Sequence, residues 1–181
     1  MRVIGGTAKG RALKAVPGDS TRPILDRVKV PLFDILRPRL DGISVLDLFG
    51  GTGSVGIEAL SQGAQHCVFL DTNAHAVATI KHNLAITDLS EKAEVRHTDA
   101  FIYLKNTTKS FDLIYIAPPQ YKGIWIEAMR LIAERPHLVK AGGQVIVQID
   151  PKEYEALDLA TLKEAQSRKY GSSILVFYGV A

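Results

Sequence analysis

The stretch Val45-Leu46-Asp47-Leu48-Phe49-Gly50-Gly51-Thr52-Gly53-Ser54-Val55-Gly56 decides how this 181-residue chain is to be read. The apolar run Ile43–Phe49 ends in glycines, and a segment of helical character, Ser54–Gln62, begins at once. Gly51, Gly53 and Gly56 satisfy G-x-G-x-x-G between a strand and a helix, and Asp71 stands twenty residues beyond Gly51, at the end of the next apolar run.

Outward from that loop the pattern repeats. Cys67–Leu70 reads as a strand, Ala74–Ala85 as a helix, Ala93–His97 and Asp112–Ala117 as strands, Ile124–Ala133 as a helix and Gly143–Ile149 as a fifth strand. Apolar strands without alternation, separated by helices, require a sheet buried on both faces, hence a parallel, doubly wound α/β sheet. Residues 161–170 and Ser173–Val180 meet around Gly171 with no room for a crossover helix, so they are expected to pair antiparallel. Ahead of the sheet, residues 2–16 read as a small hairpin turning at Gly5-Gly6. Arg27–Leu36 carries apolar residues at helical spacing around an awkward Pro31, which predicts a helix that starts late or bends. The chain therefore divides into an extension, residues 1–40, and a domain, residues 41–181.

The glycine pattern alone suggests a dinucleotide. Asp47 argues otherwise, because it stands at the strand's carboxyl end where a pyrophosphate would meet the helix N-terminus. Two carboxylates flanking one loop suit a cationic cofactor. S-adenosylmethionine carries a sulfonium and an ammonium and no phosphate, so Asp47 would assist by charge while Asp71 accepts from ribose hydroxyls. A dinucleotide and a purely structural turn are the other readings. The candidate cofactor residues around the loop are Asp47, Phe49, Gly50, Gly51, Thr52 and Gly53. Those after the next two strands are Asp71, Thr72, Asn73, Asp99 and Ala100. Asp99 is read either as an acceptor for the adenine amine or as a simple helix cap.

Charge is distributed unevenly. Twenty-two Lys and Arg against nineteen Asp and Glu give +3, but residues 1–40 hold nine basic and three acidic side chains, +6, and the remainder is −3. Such a block suits a polyanion, and a solvated basic surface is the plainer reading. No apolar run approaches the roughly 18 residues that a membrane span needs. Gly5-Gly6, Lys9 and Arg11 stand where a secretory signal would be apolar. The single cysteine, Cys67, fits a reducing, cytoplasmic setting and sits in a core-like run. The histidines at 66, 75, 82, 97 and 137 show no ligand spacing, so no metal is expected. Trp125, Ala128, Met129 and Ile132 recur at helical spacing as a buried face.

The fourth strand runs into Ala117-Pro118-Pro119-Gln120-Tyr121, and here the chain resembles the RsmD family of bacterial 16S ribosomal RNA guanine-N2 methyltransferases. The likeness spans nearly the whole chain: Arg2-Val3-Ile4-Gly5-Gly6, Lys9-Gly10-Arg11, Arg22-Pro23, Asp26-Arg27-Val28, the glycine loop and Lys81-His82-Asn83-Leu84. It implies a Rossmann-like class I methyltransferase with seven strands, S-adenosylmethionine as cofactor, and the small ribosomal subunit as partner of a cytoplasmic monomer. It also implies that the proline turn receives the target base. The family pattern there is Asp-Pro-Pro-Tyr or Phe, in which the Asp side chain and the first proline's carbonyl accept from the exocyclic amine and the aromatic ring stacks on the flipped-out base. Ala117, Pro118, Pro119, Gln120 and Tyr121 are then the catalytic candidates. Ala117 and Gln120 depart from that pattern, with Tyr121 displaced by one position. Arg2, Lys9, Arg11, Arg22 and Arg27 are the candidates for gripping RNA phosphates, Arg22 having the cofactor's carboxylate as its other possible partner.

Overall fold

The computed structural model describes residues 1–18 and 22–181. Seven strands form one sheet: β1 (Ser44–Asp47), β2 (His66–Asp71), β3 (Ala93–His97), β4 (Phe111–Ile116), β5 (Val139–Ile149), β6 (Leu162–Tyr170) and β7 (Ser173–Val180). Their spatial order is 3-2-1-4-5-7-6. β1 to β5 pair in parallel, while β7 runs antiparallel between β5 and β6. The turn between β6 and β7 uses Gly171 at φ +59°, a conformation glycine adopts without steric cost.

The helices are α1 (Asp26–Leu36), α2 (Ser54–Ser61), α3 (Ala74–Ile86), α4 (Ala100–Asn106) and α5 (Ile124–Glu134). α1, α2 and α3 cover one face of the sheet through a core that includes Leu32, Phe33, Ile57, Ile80 and Phe177. α4 and α5 cover the other through Leu104, Trp125, Met129 and Ile132. The sheet is thus buried on both faces along its centre, as the unbroken apolar runs of β1, β2 and β4 require, and only the edge strand β6 is exposed along most of its length.

Two expectations change. Residues 2–16 do not form a regular hairpin: one antiparallel bridge, Arg2 with Ala12, closes the segment, aided by Val3 N–H to Arg11 O at 3.0 Å. What shapes the segment is α2. Gly6, at φ +79°, lies so close to Ser61 that a Cβ would fall 1.8 Å from the Ser61 carbonyl oxygen. α1 does not start late either; it begins at Asp26 and runs through Pro31. Val28, Leu32, Phe33 and Leu36 are nearly inaccessible, and this tertiary burial outweighs the one backbone hydrogen bond that Pro31 cannot donate.

The same α2 carries a buried ion pair. Lys29 Nζ lies 2.9 Å from Glu58 Oε1, with side chains 1% and 0% exposed. Glu58 also accepts from the Ile4 N–H at 2.8 Å, the Gly5 N–H at 3.0 Å and Gln62 Nε2 at 2.7 Å, and Lys29 donates to Arg2 O at 3.1 Å. One carboxylate therefore ties the N-terminal segment and α1 to the helix that follows the glycine loop.

Candidate active site

The carboxyl ends of β1, β2, β3, β4 and β5 open into one cleft of about 610 Å³, lined at one end by Asp47, Asp71 and Asp99 and at the other by Pro118, Pro119 and Gln120. This is where an open α/β sheet binds its ligand, outside the strand ends at the point where the strand order reverses, here between β1 and β4.

The glycine loop closes on itself. Gly50 N–H donates to Leu70 O at 2.7 Å, Gly53 N–H to Gly50 O at 2.8 Å, and Ser54 N–H to Thr52 Oγ1 at 3.3 Å. Gly51 N–H donates to Asp71 Oδ2 at 2.9 Å, and Asp71 Oδ1 accepts from Asn73 N–H at 2.9 Å. Gly53 caps α2 at φ +81°, and Gly56 packs so tightly on Phe69 that a Cβ would lie 2.3 Å from a ring carbon. The amides of Gly50, Gly51, Gly53 and Ser54 are thus engaged within the fold, which leaves fewer donors for a pyrophosphate. That disfavours a dinucleotide on the loop's own geometry.

Asp47 is 2% exposed, and its Oδ1 has no hydrogen-bond partner among the described residues. Burial raises its pKa to about 8; the nearby Asp71 charge adds to the rise, and a hydrogen bond from the Gly56 backbone opposes it. A buried carboxyl oxygen lacking a partner is a site that a cation would complete. The residues present therefore fit S-adenosylmethionine: Asp47 for its positive charge, Asp71 with spare lone pairs for ribose hydroxyls, and Asp99, Ala100 and Phe101 along the wall. Asp99 also caps α4, its Oδ1 accepting from Phe101 N–H at 2.8 Å and Ile102 N–H at 3.0 Å. Cap and cleft-wall placement thus coexist in one side chain.

Of the remaining candidates, Phe49, Thr52, Thr72, Asn73, Ala117 and Arg22 also line the cleft. Arg22 Nη1 donates to Gln120 Oε1 at 3.4 Å, bridging the extension to the proline turn. Tyr121 does not join them. It adopts φ +63°, is 61% exposed, donates its hydroxyl to Asp150 Oδ2 at 2.5 Å and its N–H to Glu153 Oε1 at 2.9 Å. These two carboxylates hold the ring outside the cleft, away from a stacking position. Arg2 and Arg11 lie elsewhere on the surface and bond the backbone, Arg2 to Gly10 O and Arg11 to Ile86 O. Lys9 is exposed, and the Arg27 guanidinium sits against the Gly171 turn.

Three side chains escaped the reading of the sequence. Tyr115 and Gln148 line the cleft as a hydrogen-bonded pair. Asn83, fully buried on α3, accepts from Lys14 N–H at 2.8 Å and donates to Lys14 O at 3.0 Å and Thr52 O at 2.9 Å, fastening the N-terminal segment to the glycine loop. A polar residue on an apolar helix face was the available signal for Asn83. Trp125, by contrast, is 1% exposed and belongs wholly to the core, as its spacing predicts.

Strand order, cleft and carboxylates together define a class I methyltransferase, with S-adenosylmethionine as its cofactor. Residues 1–179 match the model of the family described as Conserved hypothetical protein 95, and the chain belongs to that family, the RsmD family. It is 36% identical over 181 residues, 98% of each chain, to the Bacillus subtilis (strain 168) protein named "Putative rRNA methyltransferase YlbH". A Haemophilus influenzae relative, ribosomal RNA small subunit methyltransferase D, is 34% identical over 74% of this chain and 71% of its own length. The solved structure of a hypothetical protein from Thermus thermophilus is 31% identical, covers 99% of both chains and superposes with a TM-score of 0.81.

Proposed function

We propose that the protein transfers a methyl group from S-adenosylmethionine to the exocyclic N2 of a guanine in small-subunit ribosomal RNA, acting as a cytoplasmic monomer. The observation that carries the cofactor half is the buried Asp47 oxygen without a partner among the described residues, in a cleft where a second carboxylate, Asp71, stands beside the glycine loop. The names of the relatives support the RNA half. Residues 1–40 would serve as the RNA-facing extension and residues 41–181 as the catalytic domain.

When bound, S-adenosylmethionine supplies an electrophilic methyl group on a positively charged sulfur. Asp47 would hold that end by charge, Asp71 the ribose and Asp99 the adenine side. The Pro118 carbonyl, its backbone fixed by the ring of Pro119 and its own, would accept one hydrogen of the target amine. An aromatic amine is a weak nucleophile because its lone pair is delocalised into the ring, so orientation contributes most of the rate. Phosphate contacts from Lys9, Arg22 and Arg27 would place the RNA without reading its sequence, the base being turned out of its stack into the cleft.

The test has two stages. Calorimetric titration should detect S-adenosylmethionine and not NAD; the reverse would overturn the cofactor assignment. Labelled methyl transfer to undermethylated 30S subunits, followed by mass mapping, should place the methyl on guanine N2, and an adenine or cytosine product would overturn the base assignment. A second reading, cofactor and RNA binding without turnover, is favoured by Ala117 and by Tyr121 lying outside the cleft. Turnover by the natural sequence refutes it, whereas activity appearing only in Ala117→Asp/Gln120→Tyr supports it.

A further inference from the structure

Tyr115 and Gln148 stand side by side at the carboxyl ends of β4 and β5. Tyr115 lies opposite Ile146 and Ile116 opposite Val147, so Gln148 falls in step with Ala117. Strand alternation puts Tyr115, Ala117, Ile146 and Gln148 on one face of the sheet, and Asp47 is in register with Tyr115 from the other side. Asp47, Tyr115 and Gln148 thus form a row leading from the carboxylate end of the cleft toward the Pro118-Pro119 turn.

The Tyr115 hydroxyl is buried and donates to Gln148 Oε1. Burial, reinforced by the Asp47 charge, holds this phenol well above its ordinary range, so it stays protonated and remains a donor. The amide is thereby oriented with its oxygen toward Tyr115. A carboxamide has two acceptor lone pairs and two N–H donors, and no other hydrogen bond of the Gln148 side chain is present among the described residues. Ala117 has no polar side-chain atom, and Gln120 is exposed and engaged by Arg22. Gln148 is therefore the oriented donor-acceptor pair at this end of the cleft.

We propose that Gln148, oriented by Tyr115, reads the target base: its Oε1 accepts from the exocyclic amine while its Nε2 donates to the adjacent ring nitrogen. This rests on the methyl-transfer reading above. An amine beside a ring acceptor occurs in guanine, adenine and cytosine and is absent from uracil, so the pair selects an amino base. In the transfer, the amine lone pair forms the N–C bond as the C–S bond breaks and its electron pair passes to sulfur. The nitrogen then releases one proton to water in the open cleft. Gln148 neither gains nor loses a proton; its part is to hold the amine in line. Tyr115 is a positioning residue.

Single-turnover methyl transfer from labelled S-adenosylmethionine to undermethylated 30S subunits tests this in the full chain. Gln148→Leu should lower the transfer rate roughly 100-fold, the scale of losing one oriented hydrogen-bond partner at a reacting centre. Its affinity for S-adenosylmethionine, read by calorimetry, should stay within about twofold, since Asp47, Asp71 and the loop carry cofactor binding. Gln148→Glu, which keeps an acceptor, should recover at least roughly tenfold over Gln148→Leu. Tyr115→Phe should lower kcat with little change in KM for the RNA. A Gln148→Leu rate within about threefold of the natural protein, or loss of cofactor affinity equal to the loss of rate, overturns the assignment while leaving the methyltransferase reading standing. Absence of transfer by the natural protein to any RNA overturns both.

Discussion

Asp47 gives the stability of the unliganded protein a pH dependence that can be worked out in advance. Its pKa is about 8 in the fold against an ordinary value of 3.8. The folded protein therefore keeps a proton that the unfolded chain releases above its ordinary pKa, and the stability linked to that proton is complete below pH 3.8 and lost as pH rises through about 8. Between those limits the loss is about 1.4 kcal/mol per pH unit. From pH 5 to pH 7 Asp47 alone should remove roughly 3 kcal/mol, or roughly 5–10 °C in Tm for a domain of this size. Urea unfolding of the natural protein and of Asp47→Asn at pH 5, 6 and 7 isolates the effect, because the two proteins differ only at residue 47. The difference in unfolding free energy should shift by that amount in favour of Asp47→Asn; parallel curves would refute the burial argument. A cation in the cleft reverses the balance. At pH 7 a group with this pKa is mostly protonated, so binding S-adenosylmethionine should release a proton from most molecules, read as a dependence of binding enthalpy on buffer ionisation heat. Zero release would mean that the positive charge does not sit beside Asp47.

Two further outcomes follow from the way the N-terminal segment is held. Lys29→Met strands the Glu58 carboxylate inside the fold with only Ile4, Gly5 and Gln62 as donors, at a cost of about 3–5 kcal/mol; calorimetric Tm should fall roughly 10 °C, and Lys29→Met/Glu58→Gln should regain part of that. Lys9 is exposed and, unlike Arg2 and Arg11, bonds no backbone carbonyl through its side chain among the described residues. Lys9→Ala should weaken RNA binding and reduce the slope of log K against log salt by about 0.7–0.9, with cofactor affinity unchanged; equal loss of both would assign Lys9 a structural role.

The parallel, doubly wound sheet and its antiparallel final pair were legible because they depend on local signals that repeat: apolar runs too continuous for a half-exposed sheet, glycine at the strand ends, and two last strands with no helix between them. α4 was not, since Ala100–Asn106 is short and declares itself mainly through the Asp99 cap. The cofactor end of the cleft was legible for a related reason: Asp47, Asp71 and Asp99 each stand at or just beyond the end of a strand, and a parallel sheet must bring such positions to one edge. Tyr115 and Gln148 announce nothing in sequence. They are 33 residues apart and meet only because β4 and β5 are neighbours in register, with Tyr115 two residues behind the step that carries Gln148. Tyr121 failed for the opposite reason. Its place in the chain beside the prolines suggested a role in the cleft, but a left-handed backbone turn and two carboxylates from the segment after β5 decide where its ring lies.

The basic surplus of residues 1–40 is likewise smaller as a binding surface than as a sum. Lys29 is neutralised inside the fold by Glu58, and Arg2 and Arg11 direct part of their guanidinium groups at backbone carbonyls. Their charges still add to the long-range field, which acts over about 10 Å and draws in a polyanion before contact. On the proposed function, short-range grip on phosphates would fall to exposed basic side chains such as Lys9, Lys14, Arg22 and Arg27. Two of these are linked to the cleft by geometry: Arg22 reaches Gln120 at the proline turn, and the Lys14 backbone is held by Asn83, which also holds the carbonyl of Thr52 in the glycine loop. A phosphate drawn to this extension therefore arrives on a surface already fixed to both ends of the cleft. On the proposed function, the extension and the sheet would have to fold as one body for a base to be presented in line with the methyl group.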